Sequence, residues 1–293
     1  MVRNPKDEID LDEISNEIAM DNSHSEICII VEGATDAKLL EDFTVEDKCS
    51  IYLVKTRENV VELMRRLETL NKNQYTIGIV DDDQHRITGE NLPANTIYTD
   101  TNDIETMIFW SGAFPKIARQ LFAFGSTADR NKVVEIHKLL QKCAIPIGEM
   151  RLADKHKGWK LSFKDSGGKK DLDFCKLFNW KEDMSYLGDK VMINVLKGHG
   201  KRPEIDEKEA LKELNAVRKY KYSPKQIIVG HDLTRVIAVA MKKKYYKKET
   251  EGYDKDQIEV SFRLAYSLDL FKRTNLYQAM KGMMSHNGID YLQ

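Results

Sequence analysis

Nothing in this 293-residue chain approaches the roughly 18 to 20 consecutive apolar residues that a membrane span needs. The first 21 residues are rich in Asp and Glu and lack the apolar stretch of a secretory signal. A cytoplasmic protein without a membrane partner is therefore expected. Cysteine is scarce. Cys28, Cys49, Cys143 and Cys175 are widely scattered, with no C-x-x-C pair and no Cys/His cluster at zinc spacing, so reduced, structural thiols are expected. The chain also lacks a G-x-x-x-x-G-K-[ST] phosphate loop: Gly198-His199-Gly200-Lys201-Arg202 has neither the upstream glycine nor the Ser/Thr. Low-complexity tails and internal repeats at a regular period are missing as well.

What is present is ordinary for a globular protein, with 41% hydrophobic and 32% charged residues. The length suits one large domain or two smaller ones. The net charge of −1 hides a division. Residues 1–110 carry 24 Asp and Glu against 10 Lys and Arg, whereas the remainder carries 23 against 36. An acidic half joined to a basic half suits an enzyme that holds cations in one region and grips a polyanion with another. Solvated surface accounts for the same division equally well.

Periodicity organises the chain into three parts: an N-terminal helical segment over 1–24, an α/β domain over 25–110, and a mainly helical region over 111–293. Ile9 to Met20 reads as a short amphipathic helix. Strands are predicted at Ile27–Val31, Ser50–Val54, Thr76–Val80 and Thr96–Tyr98, with helices at Asp36–Phe43 and Asn59–Leu70 between them. Strands that are apolar throughout and alternate with helices imply an α/β fold with a small, doubly wound parallel sheet. Beyond residue 110 helices are predicted at 113–122, 132–143, 207–220, 233–245, 258–271 and 276–284, with one short strand at Trp159–Phe163.

Two acidic signatures sit where strands run out. Glu32-Gly33 follows the first apolar run, and Asp81-Asp82-Asp83 follows Ile77-Gly78-Ile79-Val80. In open parallel sheets, sites form beyond the carboxyl ends of the strands. If those two strands are neighbours, Glu32, Asp81 and Asp83 converge on one crevice. Gly33 permits a sharp turn after the strand, and Thr35 is placed to cap the next helix. Clustered carboxylates repel one another unless a cation sits among them, and hard oxygen ligands favour Mg²⁺, or Mn²⁺, over zinc. Glu32 serves as a ligand or as a general base; a run of Asp is also a common polar turn.

These residues resemble the TOPRIM domain shared by topoisomerases, bacterial primases and the overcoming-lysogenization-defect nucleases. There a glutamate follows the first strand and a D-x-D the third, matching Glu32, Asp81 and Asp83. Asp36 matches the acidic position of the V-E-G-x-x-D form common among the nucleases and joins the metal candidates. The resemblance covers roughly residues 26–110. Thr99-Asp100-Thr101-Asn102-Asp103-Ile104-Glu105 and Val229-Gly230-His231-Asp232-Leu233 are similar to elements of stand-alone TOPRIM effectors of PARIS-type anti-phage systems, which act beside an ABC-type ATPase. The resemblance implies a toxic, Mg²⁺-dependent nuclease cleaving tRNA, other RNA or DNA, restrained by an ATPase partner encoded nearby, with a homodimer also allowed. A catalytically silent binding module for such an ATPase is the alternative. The missing phosphate loop means that the ATPase is a separate chain.

Other residues enter as lesser candidates. Glu105, in the first turn after the fourth strand, is a further metal ligand or a capping carboxylate. His231 is a substrate-contact candidate, with Asp232 expected to cap the helix that follows. Lys242, Lys243 and Lys244 lie in a lysine-rich segment interleaved with Tyr245 and Tyr246, which suits stacking on bases. Lys169 and Lys170, beside Gly167-Gly168, form a second basic loop able to hold phosphate.

Overall fold

The computed structural model describes residues 2–3, 9–21, 25–89, 91–124, 130–163, 172–198, 205–284 and 287–293. The chain divides into two units, Met1–Met107 together with Tyr266–Gln293, and Ile108–Ala265. No helix among the described residues is long and apolar enough to cross a membrane.

The first unit is α/β. Its strands are β1 (Val2–Arg3), β2 (Ile27–Val31), β3 (Cys49–Leu53), β4 (Thr76–Val80) and β5 (Thr96–Tyr98), all paired in parallel in the order β1-β3-β2-β4-β5. The chain therefore leaves β2 to one side for β3 and returns to its other side for β4, which makes the β2/β4 seam the point where strand order reverses. Because β2 and β4 are buried along their whole length, both faces of the sheet centre are covered. On one face Cys28, Ile30, Tyr52, Val54 and Val80 pack with α3 (Arg57–Thr69) through Val60, Leu63, Met64 and Leu67. Helix α1 (Leu11–Met20) adds Ile14 and Ile18 to the same cluster. The alternate residues Ile27, Ile29, Val31, Ile77 and Ile79 are as deeply buried on the opposite face. Gly78 explains how close α3 comes: a Cβ there would lie 2.8 Å from Met64 Cγ.

The predicted boundary near residue 110 lies close to the division at Met107, but the last 28 residues, expected in the helical region, belong to the α/β unit. Their anchors are long-range. Thr44 bridges to Leu292, Val45 N–H donates to the Tyr291 carbonyl at 2.8 Å, and the Phe43 ring stacks on Phe271 at 4.9 Å. The predicted helix 258–271 is accordingly two helices, α12 (Lys255–Ala265) and α13 (Leu268–Phe271), broken where the chain passes between units. Helix α14 (Asn275–Met284) is capped by Asp100, whose carboxylate accepts from the N–H groups of Asn275 and Leu276 at 2.8 and 2.7 Å.

The second unit is helical. Its helices are α6 (Phe114–Leu121), α7 (Arg130–Lys157), α8 (Asp189–Lys197), α9 (Glu207–Val217), α10 (Pro224–Ile227), α11 (Gly230–Lys243) and α12. Helix α7 runs 14 residues past the predicted stop, through Pro146, because Ala144, Ile147, Met150, Leu152 and Ala153 continue its buried face. That burial outweighs the roughly 3 kcal/mol that an internal proline costs. The strand predicted at Trp159–Phe163 does not form. Gly158 and Lys160 have φ of +65° and +58°, and the Leu161 N–H is taken by the Asp154 carboxylate at 3.1 Å, so the segment offers no extended edge.

Gly148 marks a tight backbone approach in this unit, since a Cβ there would lie 2.0 Å from the Ile227 carbonyl oxygen. Gly148→Ala is expected to destabilise the protein by about 3 kcal/mol or more in urea unfolding. Gly282→Ala, on a helix where a new Cβ meets nothing within 4 Å, is expected to be neutral or stabilising by up to about 1 kcal/mol. Equal effects of the two changes would contradict the packing described.

Candidate metal centre at the carboxyl ends of the strands

The register of β2 against β4 pairs Val31 with Ile79, so Glu32 and Asp81, the first residues beyond their strands, emerge side by side. The Asp81 N–H donates to Glu32 Oε1 at 2.9 Å. The condition set by the sequence, that the two strands be neighbours, is met. Burial is the main cause that lifts Glu32 from its ordinary 4.5 to about 7; the Asp81 N–H opposes it, the charges of Asp83 and Asp36 add to it, and Arg57 offsets it. Asp81 is raised well above the usual carboxylate range, first by burial and then by the charges of Asp36, Asp103, Asp83 and Glu32. Four carboxylates thus act on Asp81, and two of them, Asp83 and Asp36, also on Glu32, at the carboxyl ends of three adjacent strands.

Within the Asp triplet the roles divide. Asp82 is fully buried; its Oδ1 accepts from Arg86 N–H at 2.8 Å and its own N–H donates to Thr99 Oγ1 at 3.3 Å. It builds the turn rather than the site. Asp83 is exposed, and its N–H donates to the Asn102 carbonyl at 3.1 Å. Asp83 and Gln84 both occupy the left-handed region, at φ of +43° and +68°. Two successive non-glycine residues held there cost on the order of 1–3 kcal/mol each and persist where the surroundings over-determine them.

Asp36 contributes charge but is also committed locally, since its Oδ2 accepts from Gly33 N–H at 3.1 Å across the start of α2 (Ala34–Glu41). Gly33 is the N-cap of α2, and Thr35, expected there, lies inside the helix. Glu105 is buried in the first turn of α5 (Ile104–Phe109). The charge that reaches Asp81 from this stretch is that of Asp103. Asp103 caps α5, its Oδ1 accepting from the N–H and hydroxyl of Thr106 at 2.8 Å each. Asp103 was not among the predicted site residues, although it stands in the Thr99–Glu105 element that resembles the TOPRIM effectors.

Arg57 was also missed. It is buried at the start of α3, beyond β3, with its guanidinium donating to Tyr98 Oη at 3.3 Å. Arg86 lies 5.1 Å from the Tyr98 ring centroid, and its Nη2 donates to the Thr99 carbonyl at 2.6 Å. Two cations therefore flank one tyrosine at the end of β5.

The donor set is all hard oxygen, and Glu32 and Asp81 sit where burial and neighbouring negative charge disfavour their charged forms. That chemistry fits Mg²⁺ or Mn²⁺.

The predicted substrate residues lie in the helical unit. His231, in the first turn of α11, bonds through Nδ1 to Glu259 Oε1 at 2.9 Å, and Thr234 donates to the same oxygen at 3.2 Å. Burial pushes Glu259 up, but the hydrogen bond and charge of His231 outweigh it and hold the carboxylate below its ordinary range. Asp232 is not a cap: it is buried and paired with Arg151, whose Nη2 donates to Oδ1 at 2.8 Å. Lys242 and Lys243 are exposed in the last turn of α11, whereas Lys244 is part-buried and donates to the Glu182 carbonyl. Lys169 and Lys170 lie outside the described residues. A cleft of about 1430 Å³ in this unit is lined by Lys176, Arg235, Lys242 and Lys255, interleaved with Asp173, Asp254 and Asp256.

Compared with known protein-family models and with curated proteins, the chain matches none.

The raised carboxylates set a pH dependence whose sign follows from linkage. A carboxyl that titrates near 7 when folded and near 4.5 when unfolded is protonated more readily in the folded protein, so metal-free stability falls as pH rises from about 4.5 to 7. The loss attributable to Glu32 is at most about 3 kcal/mol. Thermal melts in EDTA between pH 5 and 8 should show this fall, and Glu32→Gln should flatten it. Added Mg²⁺ should raise the midpoint increasingly as pH passes 7, because it binds the deprotonated form. Identical pH profiles for wild type and Glu32→Gln would contradict the assignment.

Proposed function

We propose that this chain is a metal-dependent nuclease of the TOPRIM type that hydrolyses nucleic-acid phosphodiesters with Mg²⁺, or Mn²⁺. The observation that carries the reading is the hydrogen bond between Asp81 N–H and Glu32 Oε1 at the seam where strand order reverses, within a set of mutually repelling carboxylates. Glu32, Asp81 and Asp83 are the ligands in this reading, with Asp36 and Asp103 adding negative charge close by. When bound, the ion stabilises negative charge developing on the phosphoryl oxygens and acidifies water.

The chain's own residues do the rest. Asp81 N–H holds Glu32 through Oε1 and leaves Oε2 either to bind the ion or, in the alternative role, to take a proton from the attacking water. Arg57, beside Glu32, counters the acidic field against which a phosphate must approach. The exposed Lys242 and Lys243 attract the polyanion. By the resemblance of its motifs, the protein acts in the cytoplasm as the toxic effector of an anti-phage system, favours tRNA or other RNA, and is held in check by a separate ABC-type ATPase.

The exposure of Asp83, beside the part-buried Glu32 and Asp81, favours one second reading, a TOPRIM-like module without catalysis that serves the ATPase. Incubation of labelled tRNA and DNA with and without Mg²⁺ separates the two. Glu32→Ala, and Asp81→Ala combined with Asp83→Ala, should lower cleavage at least about 100-fold, more than the 10- to 100-fold typical of residues that only support metal ligands, with unchanged circular dichroism. Undiminished cleavage in these variants would remove the nuclease reading. No hydrolysis by the wild type, with tight binding to the co-expressed ATPase, would support the second.

A further inference from the structure

Past the end of α11 the chain doubles back. It runs through Tyr246 and Lys247, a short 3₁₀ turn at Lys248–Thr250 and Gly252 at φ +85° before reaching Tyr253. This return encloses a pocket of about 260 Å³ with Met241, Lys242, Tyr246, Lys247 and Tyr253 on its walls. Met241 is buried, whereas Tyr246 keeps 54% of its surface exposed. The return is pinned in place. Tyr246 Oη donates to Glu251 Oε2 at 3.0 Å, Lys247 Nζ to the Gln120 carbonyl at 3.0 Å, and Thr250 Oγ1 to the Lys247 carbonyl at 3.0 Å.

The volume is below the roughly 300–1,000 Å³ of pockets that engulf a drug-sized ligand, and suits one ring system. Two tyrosines and a methionine offer flat and polarisable surface, the exposed Lys242 supplies positive charge, and Glu251, held by Tyr246, is the acidic residue of the lining. Lys242 lines this pocket and also the larger cleft of the same unit. We propose that the pocket is a subsite for a single unpaired base of a nucleic-acid strand, stacked against Tyr246 and Tyr253, with the adjoining phosphate on Lys242 and the strand continuing into the cleft. Paired bases cannot enter, so the site selects single-stranded segments such as loops, and stacking makes it tolerant of sequence. This assignment rests on the nucleic-acid part of the proposed function but not on hydrolysis.

Fluorescence anisotropy with labelled 12-nucleotide RNA and DNA strands, in EDTA and on a Glu32→Ala background, tests binding apart from cleavage. Tyr246→Ala, Tyr253→Ala and Lys242→Glu should each weaken single-strand binding by roughly 10-fold, within the range that base–aromatic stacking supplies. Tyr246→Phe, which keeps the ring but loses the bond to Glu251, should keep most of the binding that Tyr246→Ala loses. A 2-aminopurine in the strand should be quenched on binding, and Tyr246→Ala should abolish that quenching. Duplex binding should be insensitive to Tyr246→Ala. Single-strand affinities within twofold of wild type in the alanine variants, or an equal loss for duplex, would overturn the proposal. If single strands bind through the pocket but nothing is cleaved in Mg²⁺, the nuclease reading falls and the pocket stands. If cleavage depends on Glu32 but single-strand binding ignores Tyr246 and Tyr253, the reverse holds.

Discussion

The parallel pairing of β2 with β4 decides what the acidic residues of this chain can do. Had β2 been placed elsewhere in the order, Glu32 and the Asp triplet would end on separate strands with no common crevice. In the observed order Asp81 N–H bonds Glu32, and Asp81 feels the charge of Glu32, Asp83, Asp36 and Asp103. The register matters as much as the order. A slip of one residue would turn every buried side chain of β2 to the other face, so the apolar packing that holds the strand also aims Glu32.

A second constraint lies beneath the first. Thr99, Thr101, Asn102, Asp103 and Thr106 form a buried polar knot, in which Thr101 and Thr106 hydroxyls meet at 2.7 Å and the Thr99 hydroxyl donates to the Thr101 carbonyl at 2.8 Å. From it Asn102 offers its carbonyl to the Asp83 N–H, and Thr99 offers its hydroxyl to the Asp82 N–H. The left-handed turn at Asp83 and Gln84 is thus held by residues almost twenty positions downstream. Buried polar networks of this kind are costly unless satisfied, and in this one Asn102 Oδ1 is buried without a hydrogen-bond partner.

Much of the site was legible because it is written in local pattern. Apolar runs bounded by Glu-Gly and by a D-x-D announce strand ends, and the strands at Ile27–Val31, Thr76–Val80 and Thr96–Tyr98 have the expected bounds. Arg57 was not legible as a member of the cluster, since it lies in no acidic strand-end signature, and Asp103, though part of the Thr99–Glu105 element, joins it only because β5 pairs with β4. The His231-Asp232 pair shows the opposite limit. Adjacent in sequence, the two side chains go to different partners, His231 to Glu259 on α12 and Asp232 to Arg151 on α7.

Periodicity, strand-end chemistry and charge distribution are properties of neighbouring residues, and the sequence by itself determined them: a parallel α/β region, acidic groups at its strand ends, and a basic helical remainder. Which strands sit side by side, which carboxylate is buried, and where the final residues fold depend on burial and pairing between distant segments. The tertiary structure alone therefore decided that Asp82 builds the turn while Asp81 faces Glu32, that Asp36 also caps α2, and that residues 266–293 return to the sheet-bearing unit.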